Sequence, residues 1–474
     1  MNLVYLWYMD LMTLNSSQKA LRVNLNDDIY GSFAEIGAGQ ETVRHFFRAG
    51  GASGTIAKAM SAYDRAFSNA IYGEEPKDRY VTEARLRKML NHEYGLLEER
   101  LVREEDSTKQ YFAFANTVAT INFAKTFKGH GWIGIRFQTS PHSAANEIII
   151  HVRMRENDAK HQQETIGTLG VNLVYGAFNL FHDPKALLLS LLDGVGHSAV
   201  EIDLINFIGP DFKHVDNRLM SLWLVKYGFT NAVIFSPEGT NLLPAEVLYK
   251  KNILAMRGSF RPVTKVNMDM IKKGYQIFSQ SKRVDKDRLV VLFEITMNNL
   301  LSDGDIDEQD FLDRAEILCS IGQTVLISNY QEYYKLVDYF STFTKRRLGL
   351  ITGIPGLREI FEEKYYRHLN GGILEAFGKI FSKDLVIYAY PFNNDGTIET
   401  VKDVKVHPRF RPIVEYLFYN RRMRDIEDYD PSILSIWSRE VLRQIKTGEK
   451  GWEDSLPTFV DEVIKKKGLF GYRA

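Results

Sequence analysis

From about residue 198 the apolar positions gather into short, nearly continuous runs, each followed by a stretch with helical spacing. The runs cover 200–205, 231–235, 289–293, 324–327, 348–351 and 385–388. Strands covered on both faces read as unbroken apolar runs rather than alternations, and strand, helix, strand at this spacing implies crossovers and a mostly parallel sheet. The intervening helices carry their own ends. Asp216 precedes a helix over 218–227 and Gly228 follows it, while Asp307 precedes a helix over 311–321 and Gly322 follows. The fold class is therefore α/β. An open, doubly wound sheet is favoured over a barrel, because the connection over 236–266 reads as long and irregular.

Upstream the pattern differs. Residues 16–125 read as mainly helical after one short strand, with a charged amphipathic stretch over 83–103. Two β-like runs, 132–137 and 147–153, flank a turn and predict a hairpin, and helices are expected over 159–181 and 184–192, with Pro184 in a first turn. From His407 the chain returns to helix and ends in Lys465-Lys466-Lys467 ahead of Leu469-Phe470-Gly471-Tyr472, an aromatic end expected to dock on the body. The expected organisation is an extension over 1–15, a helical region over 16–125, a hairpin with helices over 126–197, the α/β core over 198–400 and a helical tail over 401–474.

Composition narrows the class. The chain has 474 residues, enough for two or three domains, and its 45% hydrophobic and 25% charged content suits a fully folded protein. Sixty basic residues balance sixty acidic ones, so neither nucleic acid nor an anionic membrane is expected as a partner. Cys319 is the single cysteine, which excludes intrachain disulfides and suits a reducing compartment; the cytoplasm is expected, with Cys319 packed toward a core. The apolar run over 3–12 is broken by Asp10 and is well short of the roughly 20 residues of a membrane span. The histidines lack the spacing of a zinc hydrolase, so no metal site is expected, and the residues point to no particular cofactor. An aromatic content of 12% leaves an oligomer open.

Three segments carry candidate chemistry. Glu35 leads into Gly37-Ala38-Gly39-Gln40, a strand-to-helix turn where a ligand could approach the backbone. Gly50-Gly51-Ala52-Ser53-Gly54-Thr55 precedes an expected helix over 56–67, with Lys58 nearby to meet a phosphate. The segment 249–264 reads as a long cationic loop, in which Lys251, Arg257, Ser259 and Arg261 are expected to hold an anionic small molecule at the carboxyl-end face of the sheet. An enzymatic reading expects these segments to converge on one pocket. Two weaker pointers remain: His151 and Arg153 share a strand face, and Leu326-Ile327-Ser328-Asn329 resembles the phosphate-binding second motif of haloacid-dehalogenase-type phosphatases, without their Asp-x-Asp pair.

Taken from about Gln18 to Arg473, the chain resembles an uncharacterised bacterial family. The likeness is carried by Tyr30-Gly31-Ser32-Phe33-Ala34-Glu35-Ile36-Gly37-Ala38-Gly39-Gln40, Val215-Asp216-Asn217-Arg218-Leu219-Met220-Ser221-Leu222, Arg257-Gly258-Ser259-Phe260-Arg261-Pro262-Val263-Thr264 and Leu469-Phe470-Gly471-Tyr472-Arg473. Some members bear the label nicotinate-nucleotide adenylyltransferase and others TonB-dependent receptor. The receptor label conflicts with the pattern, since an outer-membrane barrel needs many alternating strands of about ten residues. The adenylyltransferase label implies nucleotide chemistry, but its His-x-Gly-His motif is absent; Gly129-His130-Gly131-Trp132 is the nearest fragment. The expectation is an enzyme acting on a nucleotide or phosphorylated small molecule, and the alternative is a non-catalytic scaffold or regulatory protein.

Overall fold

A computed structural model describes residues 14–101, 104, 107–302 and 305–473; the expected extension lies, up to Thr13, outside them. The chain divides into two compact units, Met1–Thr230 and Asn231–Ala474.

In the first unit, β1 (Ile29–Gly37), β2 (Ile56–Met60), β3 (Gln110–Ala119), β4 (His130–Phe137), β5 (Asn146–Met154) and β6 (Val200–Ile208) form one sheet in the order β2-β1-β3-β4-β5-β6. β1 runs parallel to β2 and β3, and the remaining pairings are antiparallel. Its helices are α1 (Ser16–Asn24), α2 (Thr42–Ala49), α3 (Arg65–Tyr72), α4 (Glu83–Arg100), α5 (Ala159–Asn179), α6 (Pro184–Ser190) and α7 (Asn217–Lys226). Glycines let helices approach closely. Leu86 and Leu90 of α4 come within 3.0 and 3.1 Å of where a Cβ on Gly134 would stand, while Gly170 of α5 packs on Thr42 and Phe114.

The second unit contains β7 (Ala232–Phe235), β8 (Asn241–Leu242), β9 (Asn252–Arg257), β10 (Leu289–Thr296), β11 (Leu301–Ser302), β12 (Asp305–Ile306), β13 (Val325–Ser328), β14 (Leu348–Gly353), β15 (Leu385–Tyr390), β16 (Phe392–Asn394), β17 (Thr397–Glu399) and β18 (Met423–Asp425). The helices are α8 (Pro244–Leu248), α9 (Lys265–Ser279), α10 (Glu308–Ser320), α11 (Tyr333–Phe343), α12 (Ile354–Ile360), α13 (Gly372–Phe381), α14 (Arg411–Tyr419), α15 (Ser438–Thr447) and α16 (Val460–Lys467). The main sheet has the order β18-β15-β14-β9-β10-β13-β7-β8. From β18 to β13 every pairing is parallel. Numbered along the chain from β9 and read from β13, those strands stand in the order 3-2-1-4-5-6, the doubly wound arrangement whose direction reverses between β9 and β14.

Alternation along β9 divides the core. Ile253 and Ala255 join the buried cluster built with Leu336, Val337, Leu357, Ile373 and Ile380 of α11, α12 and α13. On the opposite face Gly349 admits Leu254 and the Phe278 ring of α9, and Gly274 of α9 lies against Ile351. The sheet is thus covered on both sides and open at its edges, as the unbroken apolar runs predict.

Several expectations need correction. The region over 16–125 holds β1, β2 and β3 besides its helices: the run 110–119 is buried at nearly every position, so it carries no alternation to read. The expected helix over 56–67 is instead β2 followed by a turn and α3. Ile56-Ala57-Lys58-Ala59-Met60 has little intrinsic strand preference, but parallel pairing with β1 supplies it. The run 200–205 belongs to β6, antiparallel to β5, because α7 packs back on β6 instead of leading into a parallel neighbour. β7 pairs antiparallel with β13. Most consequentially, the supposed loop over 249–264 contains β9, the central strand. The tail does return to helix, and its aromatic end docks: Phe470 is buried, and its N–H donates to Asp313 at 2.6 Å.

Candidate functional site

Five parallel strands, β9, β10, β13, β14 and β15, release the chain at one edge of the second sheet, and their following turns surround a cleft of about 680 Å³. Arg257, Gly258 and Ser259 leave β9; Thr296, Asn298 and Asn299 leave β10; Gln331, Glu332 and Tyr333 follow β13. The β14 turn contributes Thr352, Gly353, Pro355 and Gly356, and the β15 turn Tyr390, Pro391 and Phe392. Glu359, Tyr365, Tyr366 and Arg439 complete the wall.

The floor is a buried ion pair. Arg257 and Glu294 are register partners on β9 and β10. Arg257 Nε and Nη2 donate to the Glu294 carboxylate at 2.8 and 2.9 Å, and the remaining donors reach the Gln331 and Tyr330 carbonyls, each at 2.8 Å. Ser328 donates its hydroxyl to Glu294 at 2.6 Å, and the Arg257 guanidinium lies 4.2 Å from the Tyr333 ring centre. Burial works against the Arg257 charge, but Glu294 and Tyr333 outweigh it and leave the guanidinium above its ordinary pKa. Burial likewise pushes the Tyr333 phenol up, against the pull of Arg257.

Arg257 therefore holds the strand ends together instead of presenting an open fork to a ligand. Arg261 is engaged in the same way, with Nε 2.5 Å from Asp310, a carboxylate shared with Arg314. The Gly258 amide is tied to the Glu294 carbonyl at 3.1 Å, and the Ser259 carbonyl accepts from Arg314 at 3.1 Å, so the turn is fixed while the Ser259 side chain stays exposed at the cleft. Lys251 precedes β9 and stands at the opposite end of that strand, roughly 20 Å from Arg257 at about 3.3 Å per residue. It cannot share a small ligand with the cleft.

What the cleft offers in place of those arginines is a wall of aromatic rings, four amides and one unpaired cation. Arg439, near the start of α15, is exposed, and no ion pair is shown for it among the described residues. The Tyr390 hydroxyl donates to Asp269 at 2.6 Å, so burial and that carboxylate both raise its pKa. Asn299 donates to the Gly258 carbonyl at 3.3 Å. Thr352-Gly353-Ile354-Pro355-Gly356 brings backbone close to the cleft; a Cβ on Gly356 would lie 2.4 Å from the Thr352 hydroxyl. Gly353 and Gly356 directly follow an expected strand and were the available signal; Arg439, distant in sequence, gave none.

The remaining candidates lie in the first unit. Gly37 has φ 74°, and Gly39 abuts Asn116, so the Gly-x-Gly turn needs both glycines. Its helix end is already filled from within: the buried Glu35 carboxylate accepts the Thr42 and Val43 N–H groups at 3.0 and 3.2 Å and the Asn116 amide at 3.1 Å. Burial raises Glu35 to about 7 in spite of those donors. Gln40 donates to Ser61 at 2.7 Å and to the Gly37 carbonyl at 3.2 Å, and Lys58 pairs with buried Glu93 at 2.5 Å. Gly37, Gly39, Gln40 and Lys58 thus belong to one unit and Arg257, Ser259 and Arg261 to the other.

No family model matches the chain, and no curated protein does. Solved structures similar to parts of it include a competence/damage-inducible protein from Agrobacterium tumefaciens, 15% identical, with a TM-score of 0.23 over 34% of this chain and 93% of that one. A competence-damaged protein superfamily member from Klebsiella pneumoniae is 13% identical, with a TM-score of 0.24 over 34% and 92%. Another from Escherichia coli is 14% identical, with a TM-score of 0.23 over 37% and 88%. Likeness at this level carries no argument about what the chain does.

Proposed function

We propose that the second unit binds a nucleotide or a comparable phosphorylated small molecule in the cleft at the carboxyl edge of its parallel sheet. One observation carries the reading: the cleft opens where the 3-2-1-4-5-6 strand order reverses, between β9 and β14, the place where sheets of this winding receive such ligands. The lining suits that class. Tyr365 and Phe392 offer faces for a base, Asn267, Asn298, Asn299 and Gln331 offer paired donors and acceptors, and Arg439 offers a charge for phosphate. The anion expected from the sequence is kept, but its cation becomes Arg439 in place of Arg257 and Arg261.

The family label implies a narrower reading, adenylyl transfer to a nicotinate nucleotide, which would use this cleft and release pyrophosphate from ATP. The cytoplasm is carried over as the compartment. Among the described residues no helix is long and apolar enough to cross a membrane. Thermal denaturation with ATP, NAD, nicotinate mononucleotide and sugar phosphates tests the broad reading, because a ligand at 100 times its Kd adds about 2.7 kcal/mol of stability. Stabilisation by at least one of these, reduced in Arg439→Ala, is expected. If every compound leaves the melting temperature unchanged at millimolar concentration, the reading fails.

A further inference from the structure

Three titratable side chains line up in the first unit, away from any group used so far. His151 in β5 is 2% exposed, and its Nδ1 lies 2.5 Å from Oδ1 of Asp203 in β6, itself 3% exposed. The other nitrogen of His151, Nε2, lies 3.3 Å from Nδ1 of His130, the first residue of β4. Trp132 packs on the His151 ring at 4.8 Å and Phe127 on the His130 ring at 5.7 Å, which fixes both planes.

The order of donors follows from the buried end. A carboxylate can only accept, so His151 Nδ1 carries its proton; neutral His151 then accepts at Nε2, and His130 donates from Nδ1. His130 Nε2, the one ring nitrogen left over, holds a lone pair. A proton arriving there lets His130 hand its Nδ1 proton to His151, so the positive charge comes to rest beside Asp203. His130 itself is a poor place to leave the charge: burial, then His151, lowers it to about 4, with Asp203 raising it and Arg153 lowering it.

The neighbourhood of this base is cationic. Arg153 is the register partner of His130 across β4 and β5, and Lys128 stands two residues before it. Lys128, Arg153, Arg155, Gln162 and Glu201 line a cavity of about 350 Å³. Two carboxylates share this cavity: Glu201, 3.7 Å from Arg153 and 3.2 Å from Arg155, and Glu156, which accepts from Thr165 at 2.9 Å. Three cations against those two leave a positive balance.

We propose that His130 is a general base acting on a small phosphate-bearing substrate held by Lys128, Arg153 and Arg155, with His151 and Asp203 as positioning residues. His130 Nε2 bonds the proton of a substrate hydroxyl or of water. The O–H electron pair stays on oxygen, the Nδ1 proton of His130 passes to His151 Nε2, and the new positive charge balances the new oxyanion. The step needs no co-reactant and is independent of the cleft in the second unit.

Long-range proton–nitrogen spectra of the full chain labelled with 15N-histidine test it, with His130→Gln identifying the His130 signals. At pH 7.5 His130 is expected to show Nδ1 protonated and Nε2 bare. Inorganic phosphate is expected to shift its Nε2 resonance, with at least tenfold weaker response in Lys128→Ala. A protonated Nε2 in the wild type overturns the relay, and a spectrum unmoved by phosphate overturns the anion pocket. Both readings come from the wild-type protein, so neither depends on a variant folding.

Discussion

Arg257 on β9 and Glu294 on β10 face each other in register and are joined by a bidentate pair at 2.8 and 2.9 Å, with Glu294 fully buried. Removing one partner strands the other charge, which typically costs about 3–5 kcal/mol. Arg257→Ala should therefore lower the urea midpoint of the second unit by that order. Arg257→Lys should do so nearly as much, since an ammonium cannot reproduce the fork. Replacing both together, Arg257→Met with Glu294→Leu, should recover much of the loss. A near-neutral Arg257→Ala would show that the pair does not brace the sheet.

Glu35 makes the stability of the first unit depend on pH. Its folded pKa of about 7 stands above the ordinary 4.5. Below 4.5 both states hold the proton; between 4.5 and 7 the unfolded chain releases it first, so stability falls as pH rises. The fall should approach about 3 kcal/mol by pH 8. Glu35→Gln should flatten that part of the profile, measured by urea denaturation at several pH values. A wild-type profile that rises across this window contradicts the assignment.

The glycine turn after Glu35 should respond as packing, not as a ligand loop. A Cβ on Gly39 would stand 2.0 Å from Asn116 Oδ1, and the Asn116 amide holds both Glu35 and the Gly39 carbonyl. Gly39→Ala should thus destabilise by about 1–3 kcal/mol. Gly54→Ala, with nothing within 4 Å of the new carbon, should stay within about 0.5 kcal/mol. Equal melting temperatures for the two variants would refute the distinction.

The strands 289–293, 324–327, 348–351 and 385–388 were legible because burial on both faces writes itself as an unbroken apolar run, and Asp216 and Asp307 do cap α7 and α10. β9 was missed although Ile253-Leu254-Ala255-Met256 is such a run, because the flanking Lys250, Lys251, Arg257 and Arg261 read as a charged loop. The open sheet was expected from a loop that turns out to contain the central strand. The location of the site at the turn after β9 was legible from the α/β pattern. The partners of its arginines were not, since Glu294 and Asp310 lie dozens of residues away and meet them only through strand register and helix packing. Arg439 reaches the cleft from the tail, a proximity no local pattern encodes.

Hydrogen–deuterium exchange with the most stabilising nucleotide tests the central claim most directly, since it reports where a ligand sits in the intact chain. Slowed exchange is predicted in peptides covering 257–259, 296–299 and 352–356, around the cleft, with Arg439→Ala reducing the effect and Lys251→Ala leaving it unchanged. Protection confined to 37–40, or no protection in any of the cleft peptides at saturating nucleotide, would contradict it.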